Sequence, residues 1–139
     1  MDATEVIRTG IALIEPVLSP SGFAWVPESA GASSGGDFAS GAFVRGGRRL
    51  ELSFRHSLGL ITYSVGDARI PHSEYMRALG HAGETSYPGF SDDPLDGFRH
   101  LLSDLERFGS EFFNGTDEQF EARLRWVHAN PKESGLAAT

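Results

Sequence analysis

The clearest hydrophobic pattern lies in the middle of the chain. Apolar residues recur at alternate positions in residues 38–45 and 48–56, which flank the dipeptide Gly46-Gly47. Such alternation is typical of strands with one buried face, and two glycines suit a tight hairpin turn. The sequence therefore predicts three facing pairs: Phe43 with Leu50, Gly41 with Leu52, and Ala39 with Phe54.

A second turn, near residues 57–59, leads into the apolar run 60–65. If Ser57 and Leu58 form that loop, the facing pairs are Phe54 with Ile61, Leu52 with Tyr63, and Leu50 with Val65. Moving the turn by one residue shifts the register by two and keeps the same side chains on one face. Both turns bury the same residues of the central run, so we predict an antiparallel meander.

The segment before this meander predicts a strand and then a loop. Residues 22–27 have the apolar character of a short strand, and Pro27 marks its end or a sheet edge. Residues 28–36 are rich in Ser, Ala and Gly and contain no large apolar side chain. We therefore predict a mobile loop over 28–36.

Helical spacing dominates both ends of the chain. An apolar stripe predicts a helix over 3–15, capped by Asp2 or Thr4 and ended or bent at Pro16. Three further helices are predicted over 73–79, from Asp93-Pro94 to about Phe113, and from Thr116 to about Ala129, where Thr116 and Gln119 form a capping box.

Together these elements predict an α+β fold. It consists of an N-terminal helix, an antiparallel meander of about four strands, and three C-terminal helices packed on one sheet face. Residues 1–139 are expected to form a single domain with a frayed tail over 131–139.

Composition narrows the class of protein. The 139 residues are 40% hydrophobic and include fifteen aromatic side chains, which favours a folded chain. The absence of cysteine excludes disulfides, cysteine-based metal sites and thiol catalysis. An acidic N-terminus and the lack of a long apolar run favour a cytoplasmic protein without a membrane segment.

Charge is distributed unevenly along the chain. The net charge is −7, yet residues 84–121 alone contain ten acidic and two basic residues. Residues 45–77 carry six arginines against three acids. Arg45, Arg48 and Arg49 beside the glycine turn favour an exposed, solubilising hairpin tip, with phosphate contact as the alternative. The overall acidity disfavours a nucleic-acid partner.

Sequence motifs give little support to catalysis. Gly31-Ala32-Ser33-Ser34-Gly35 matches the G-x-S-x-G pattern of serine hydrolases, but the residues that follow it lead toward a strand rather than a helix. The five histidines lack zinc-binding spacing, so we predict neither a metal nor a cofactor. His72 and Glu74 are assigned to the start of a helix.

An alternative polar site remains open. His100 and Asp104 lie four residues apart on one predicted helix, where an aspartate could orient an imidazole. His81 and Glu84 form a second such pair. We expect His100 and Asp104 to lie on the polar surface of their helix, and His81, His100 and Asp104 are the candidate polar groups of a pocket between sheet and helices.

The most distinctive stretch combines aromatic and acidic residues before a helix. It reads Tyr87-Pro88-Gly89-Phe90-Ser91-Asp92-Asp93-Pro94. Aromatic side chains anchor many protein interfaces, and carboxylates select basic partners. The alternative is that Tyr87 and Phe90 fill the core while Asp93 caps the helix. The predicted partner-binding residues are Tyr87, Phe90, Asp92, Asp93, Asp96 and Glu84.

A family resemblance covers roughly residues 38–113. The segments Phe43-Val44-Arg45-Gly46, Leu50-Glu51-Leu52, Tyr63 and Tyr87 through Leu95 resemble those of small bacterial α+β proteins of unknown function. Some of those proteins are similar in size and acidity to immunity proteins of toxin systems. The resemblance transfers no catalytic or binding residue.

Two functions follow as hypotheses. The first is a non-enzymatic protein-interaction module, in its most specific form an acidic immunity-type inhibitor of a basic protein partner. The second is a small hydrolase or small-ligand-binding protein with a pocket between sheet and helices. Convergence of His, Asp and Glu in an apolar cleft would favour the second hypothesis, and a flat acidic rim around exposed aromatic side chains would favour the first.

Overall fold

A computed structural model describes residues 2–33, 36–87 and 93–132, with Ser33 described for its backbone only. The α+β prediction is confirmed: helices at both ends of the chain pack on an antiparallel meander. The elements in chain order are α1 (Ala3–Leu18), β1 (Ala24–Ser33), β2 (Gly36–Arg45), β3 (Arg48–Phe54), β4 (Thr62–Val65), β5 (Ala68–Pro71), α2 (His72–Ala78), α3 (Asp96–Phe108), α4 (Ser110–Asn114) and α5 (Asp117–Ala129).

The strands form one sheet in the order β1-β2-β3-β4-β5. The predicted register of the first hairpin is confirmed, with Phe43 opposite Leu50, Gly41 opposite Leu52 and Ala39 opposite Phe54. The second register differs by two residues from the one expected for a Ser57-Leu58 loop, because the turn is centred one residue earlier in the chain and places Leu50 opposite Tyr63. A shift of two keeps the same side chains on the same face.

The predicted core of the meander is confirmed. All six of its side chains are buried: Leu50, Leu52, Phe54, Ile61, Tyr63 and Val65. They join apolar residues of α1, α3 and α4 in one hydrophobic cluster. The opposite face of the sheet carries ion pairs instead, including Arg69 with Glu51 at 2.6 Å. The sheet therefore has one apolar and one charged face, and the helices cover the apolar one.

The predicted loop over residues 28–36 was wrong in its secondary structure where the structure describes it. β1 continues to Ser33, and its last residues pair with β2 after a bulge between Pro27 and Ser29. The small side chains of this segment are exposed, so no hydrophobic pattern marks the strand. The segment forms a strand because β2 extends beyond the end of β3 and offers its backbone as a free edge. β5, a four-residue strand, was not predicted at all.

α1 begins as predicted and ends later. The Asp2 carboxylate accepts a hydrogen bond from the Glu5 N–H at 2.8 Å, which caps the helix. Pro16 lies inside the helix, which continues to the buried Leu18. Proline removes one helical hydrogen bond, to the carbonyl of Ala12, and burial of Leu18 favours continuation of the helix.

The long helix predicted to run to Phe113 is two helices, α3 and α4, divided at Gly109. A Cβ at Gly109 would lie 2.6 Å from the Leu105 carbonyl and 2.8 Å from the Phe113 ring. The close approach needs glycine, and the chain turns there. α2 is confirmed within one residue at each end, and the Thr116–Gln119 capping box of α5 is confirmed.

Two arginines of the first hairpin attach these helices to the sheet. Buried Arg48 donates to the carbonyls of Phe112 and Gly115, both at 2.6 Å, and its Nη2 lies 2.9 Å from Asp117 Oδ1. Arg45 donates to the carbonyl of Phe113 at 2.7 Å. Positive charge beside the free carbonyls of a helix C-terminus is favourable. The prediction of a merely exposed basic tip was therefore wrong for Arg48.

The predicted tail lies mostly outside the described residues, which end at residue 132. α5 ends at Ala129 as predicted.

Candidate binding site

A buried chain of three polar side chains connects the sheet to the helices. Tyr63 lies on β4, His72 is the first residue of α2, and Asp104 lies in the third turn of α3. The Tyr63 hydroxyl is 2.7 Å from His72 Nδ1, and His72 Nε2 is 2.9 Å from Asp104 Oδ2. The exposed fraction is 4% for His72 and 0% for Tyr63 and Asp104.

Asp104 is held as a carboxylate. Burial acts to raise its pKa, but hydrogen bonds from His72 and from the N–H groups of Ser86 and Tyr87 outweigh burial and lower the pKa below its ordinary value. The backbone donors lie 2.7 Å and 3.0 Å from the carboxylate oxygens. The aspartate therefore fixes the loop that carries Tyr87.

The hydrogen-bond pattern assigns the tautomer of His72. Ionised Asp104 can only accept, so His72 Nε2 carries a hydrogen, and in the neutral imidazole Nδ1 accepts from the Tyr63 hydroxyl. Both ring nitrogens are then occupied, and burial raises the pKa of Tyr63 well above its ordinary value. A nucleophile needs access to substrate. The Tyr63 side chain has no exposed surface, and the contacts of this Tyr-His-Asp chain position the neighbouring loop.

Tyr87 is the residue that the chain positions. Its ring packs edge-on against His72, with centroids 5.6 Å apart, and its hydroxyl donates to the carbonyls of Leu58 and Gly59. Burial raises the pKa of Tyr87 to about 12. The alternative prediction was that Tyr87 fills the core. It is confirmed in part, because the Tyr87 side chain is half-buried.

Beside Tyr87 lies an apolar depression of about 350 Å³, which we call the Leu60 pocket. Residues 58–61 of the β3–β4 connection form one wall, and His72, Ser73, Thr85 and Tyr87 form the rest. Leu60 is 67% exposed at its edge. The first turn of α3 is adjacent, because a Cβ on Gly97 would lie 3.1 Å from the Leu58 Cβ and 3.7 Å from the Tyr87 ring.

The acidic residues predicted for partner binding already have partners within the chain. Asp93 pairs with Arg99 at 2.8 Å, Asp96 with His100 at 3.1 Å, and Glu84 with His81 at 3.1 Å. Asp93 also accepts from the Leu95 N–H. The prediction that Asp93 caps a helix starting at Asp93-Pro94 was wrong, because α3 begins at Asp96 and has no side-chain cap. The pKa of Asp93 is lowered by Arg99 first and by the Leu95 N–H second. Phe90 and Asp92 lie outside the described residues.

The alternative polar site is not assembled. His81 stacks on Phe108, His100 pairs with Asp96, and Asp104 pairs with His72. The prediction that Asp104 lies on the polar surface of its helix was wrong, because α2 and the 85–87 loop cover that position. A signal existed in the sequence: Leu101, Asp104, Leu105 and Phe108 share the helical spacing of one buried stripe.

His72 is the residue that sequence reasoning missed. Its assignment to a helix start was right for its backbone, since α2 begins there. No local pattern could reveal its partners, because Tyr63 and Asp104 are 9 and 32 residues away.

Other motifs find no catalytic setting in the described part of the chain. The first three residues of the G-x-S-x-G run, Gly31 to Ser33, are the last residues of β1, and Ser34 and Gly35 lie outside the described residues. In residues 2–33, 36–87 and 93–132, no group of three or more His, Asp and Glu side chains is arranged to hold a metal ion. No helix in these ranges is long and apolar enough to cross a bilayer.

Comparisons with protein-family models, with curated proteins and with solved structures found no match to this chain.

Proposed function

We propose that the protein is a non-enzymatic interaction module that binds a protein partner at the Leu60 pocket. The observation that carries this proposal is the exposed Leu60 beside an apolar depression, one wall of which, Tyr87, is held in place by hydrogen bonds. A large apolar side chain exposed next to such a depression is a feature of interaction sites. A partner would insert an apolar side chain into the pocket and cover Leu60.

The rigidity of the pocket wall supports binding. Tyr87 is held at its backbone by Asp104 and at its hydroxyl by the carbonyls of Leu58 and Gly59. A pre-ordered wall loses little conformational freedom when a partner docks, which favours affinity. The Tyr63 hydroxyl of the same buried chain has no access to a substrate, and this argues against the hydrolase hypothesis.

Charge supports a basic partner. The chain carries a net charge of −7, and Glu84 and Asp96 flank the elements that form the pocket. Because these acids also have intramolecular partners, we assign them a role in attracting the partner and Leu60 the main role in holding it. An immunity-type inhibitor of a basic protein is the specific form of this proposal.

The test is capture with immobilised protein from a lysate of the source organism, followed by calorimetry with the purified partner. We expect Leu60→Ser to weaken binding by about tenfold or more, as for an interface anchor. Trp126→Ser is the matched control, because Trp126 is another exposed apolar residue but lies on α5 outside the pocket. Equal binding by wild type and both variants would exclude the Leu60 pocket as the site.

A further inference from the structure

The second surface with a distinct character is a groove between α1 and the edge strand β1. It has a volume of about 600 Å³, with Ala12 on its helix wall and Trp25 and Pro27 on its strand wall. Arg8 and Glu15 also line it, both exposed. The groove thus combines an apolar floor with one positive and one negative side chain.

Arg8 and Glu15 have no hydrogen-bond or ion-pair partner for their side chains among residues 2–33, 36–87 and 93–132. This contrasts with the arginines of the sheet and of α3, which are paired. Seven residues separate Arg8 from Glu15, so they lie on the same helix face about 10.5 Å apart along the axis. The groove therefore presents two opposite charges, unpaired within the described part of the chain, on helix positions about two turns apart.

This spacing is self-complementary. If a second α1 lies antiparallel across the first, with a two-fold axis between Ile11 and Ala12, Arg8 of each copy meets Glu15 of the other. A parallel arrangement would place like charges together and is disfavoured. Ala12 is exposed at the centre, and its small side chain allows the two helices to approach closely.

We infer that the chain forms a two-fold symmetric dimer through α1 and the edge of β1, with two reciprocal Arg8–Glu15 ion pairs. A two-fold interface uses one patch twice, which this pattern satisfies. Pairing of the helices would also cover the apolar groove beside Trp25. The Leu60 pocket is built from other elements and stays open in the dimer, so this inference does not depend on the proposed function.

Charge reversal tests the dimer directly. Sedimentation equilibrium at low ionic strength should give the mass of two wild-type chains, because salt screens exposed ion pairs. Arg8→Glu and Glu15→Arg should each raise the dimer dissociation constant by about tenfold or more. The double variant R8E/E15R restores both pairs and should return the constant to near the wild-type value.

Mixing the two single variants gives a second readout. Each places like charges together in its own homodimer, whereas the mixture restores both ion pairs in a heterodimer. Arg125→Glu on α5 is the matched control for Arg8→Glu, because Arg125 is exposed outside the groove and its replacement changes net charge by the same amount. Far-ultraviolet circular dichroism verifies that each variant is folded.

The inference is overturned by three results. A wild-type chain that remains monomeric leaves the groove to another occupant. A dimer that tolerates both single reversals uses a different surface. A double variant as weak as the singles shows that Arg8 and Glu15 do not pair across the axis.

Discussion

Asp104 is the single residue on which most of the buried polar structure depends. Its carboxylate accepts from His72, Ser86 and Tyr87, and all three partners are donors. Asp104→Asn replaces one acceptor with an NH₂ group that faces a donor. We expect the free energy of unfolding to fall by about 1.5–3 kcal/mol near neutral pH, measured by urea denaturation.

The pH dependence of the same variant has a defined sign. Because the pKa of Asp104 is lower in the folded state than in the unfolded chain, its stabilisation is complete above the unfolded value of about 3.9. The stabilisation is lost as pH falls through the folded pKa. The difference between wild type and Asp104→Asn should therefore shrink in acid. Asp67→Asn, in an exposed turn, is the control, and an equal effect there would contradict the assignment.

Two leucines of opposite burial should contribute very differently to the free energy of unfolding. Leu52 is 1% exposed in the core and Leu60 is 67% exposed at the pocket. Leu52→Ala should lower the free energy of unfolding by about 2–5 kcal/mol, whereas Leu60→Ala should change it by about 0.5 kcal/mol or less. Chemical denaturation of both variants measures the difference. Similar losses would mean that Leu60 is covered in solution.

At the scale of elements, the first hairpin was predictable to the residue because Gly46-Gly47 fixes its turn and alternation fixes its face. Gly46 has the positive φ of +57° that such a turn requires. The division at Gly109 was not predictable, since it depends on the Leu105 carbonyl and the Phe113 ring around it. The position of Asp104 in an apolar helical stripe could be predicted from the sequence, but its contact with His72 could not.

The β1–β2 hairpin extends beyond the rest of the sheet. β3 ends at Phe54, opposite Ala39, so residues 31–33 of β1 pair with β2 where β2 has no other neighbour. Two-stranded ribbons are marginally stable in water. We expect backbone amides of residues 31–33 to exchange hydrogen much faster than those of residues 42–44, measured by NMR or mass spectrometry. Comparable protection would contradict the predicted mobility of this segment.

At the scale of the whole molecule, the uneven charge of the sequence is largely matched within the fold. Arg48 of the basic centre pairs with Asp117, and Arg123 pairs with Glu111. Asp104 is removed from the surface altogether. The excess of acids over residues 84–121 therefore overstates the charge that a partner meets. The sequence cannot reveal this, because the pairs join residues far apart in the chain.

The remaining acids near the Leu60 pocket lead to a prediction about association kinetics. Glu84→Lys should slow association with the captured partner and flatten its salt dependence, because the charge at the pocket is reversed. Asp92→Lys is predicted to act in the same direction, from its sequence position alone. Asp96 should matter less, since it pairs with His100 and lies at the positive end of α3.

Glu121→Lys is the matched control for this experiment, because it changes net charge equally and Glu121 is exposed on α5. Association rates at two salt concentrations, measured by surface plasmon resonance, separate a local effect from a general one. Equal slowing by Glu84→Lys and Glu121→Lys would assign attraction to the net charge. Rates insensitive both to salt and to these reversals would leave the acidic surface with a role in solubility and none in recognition.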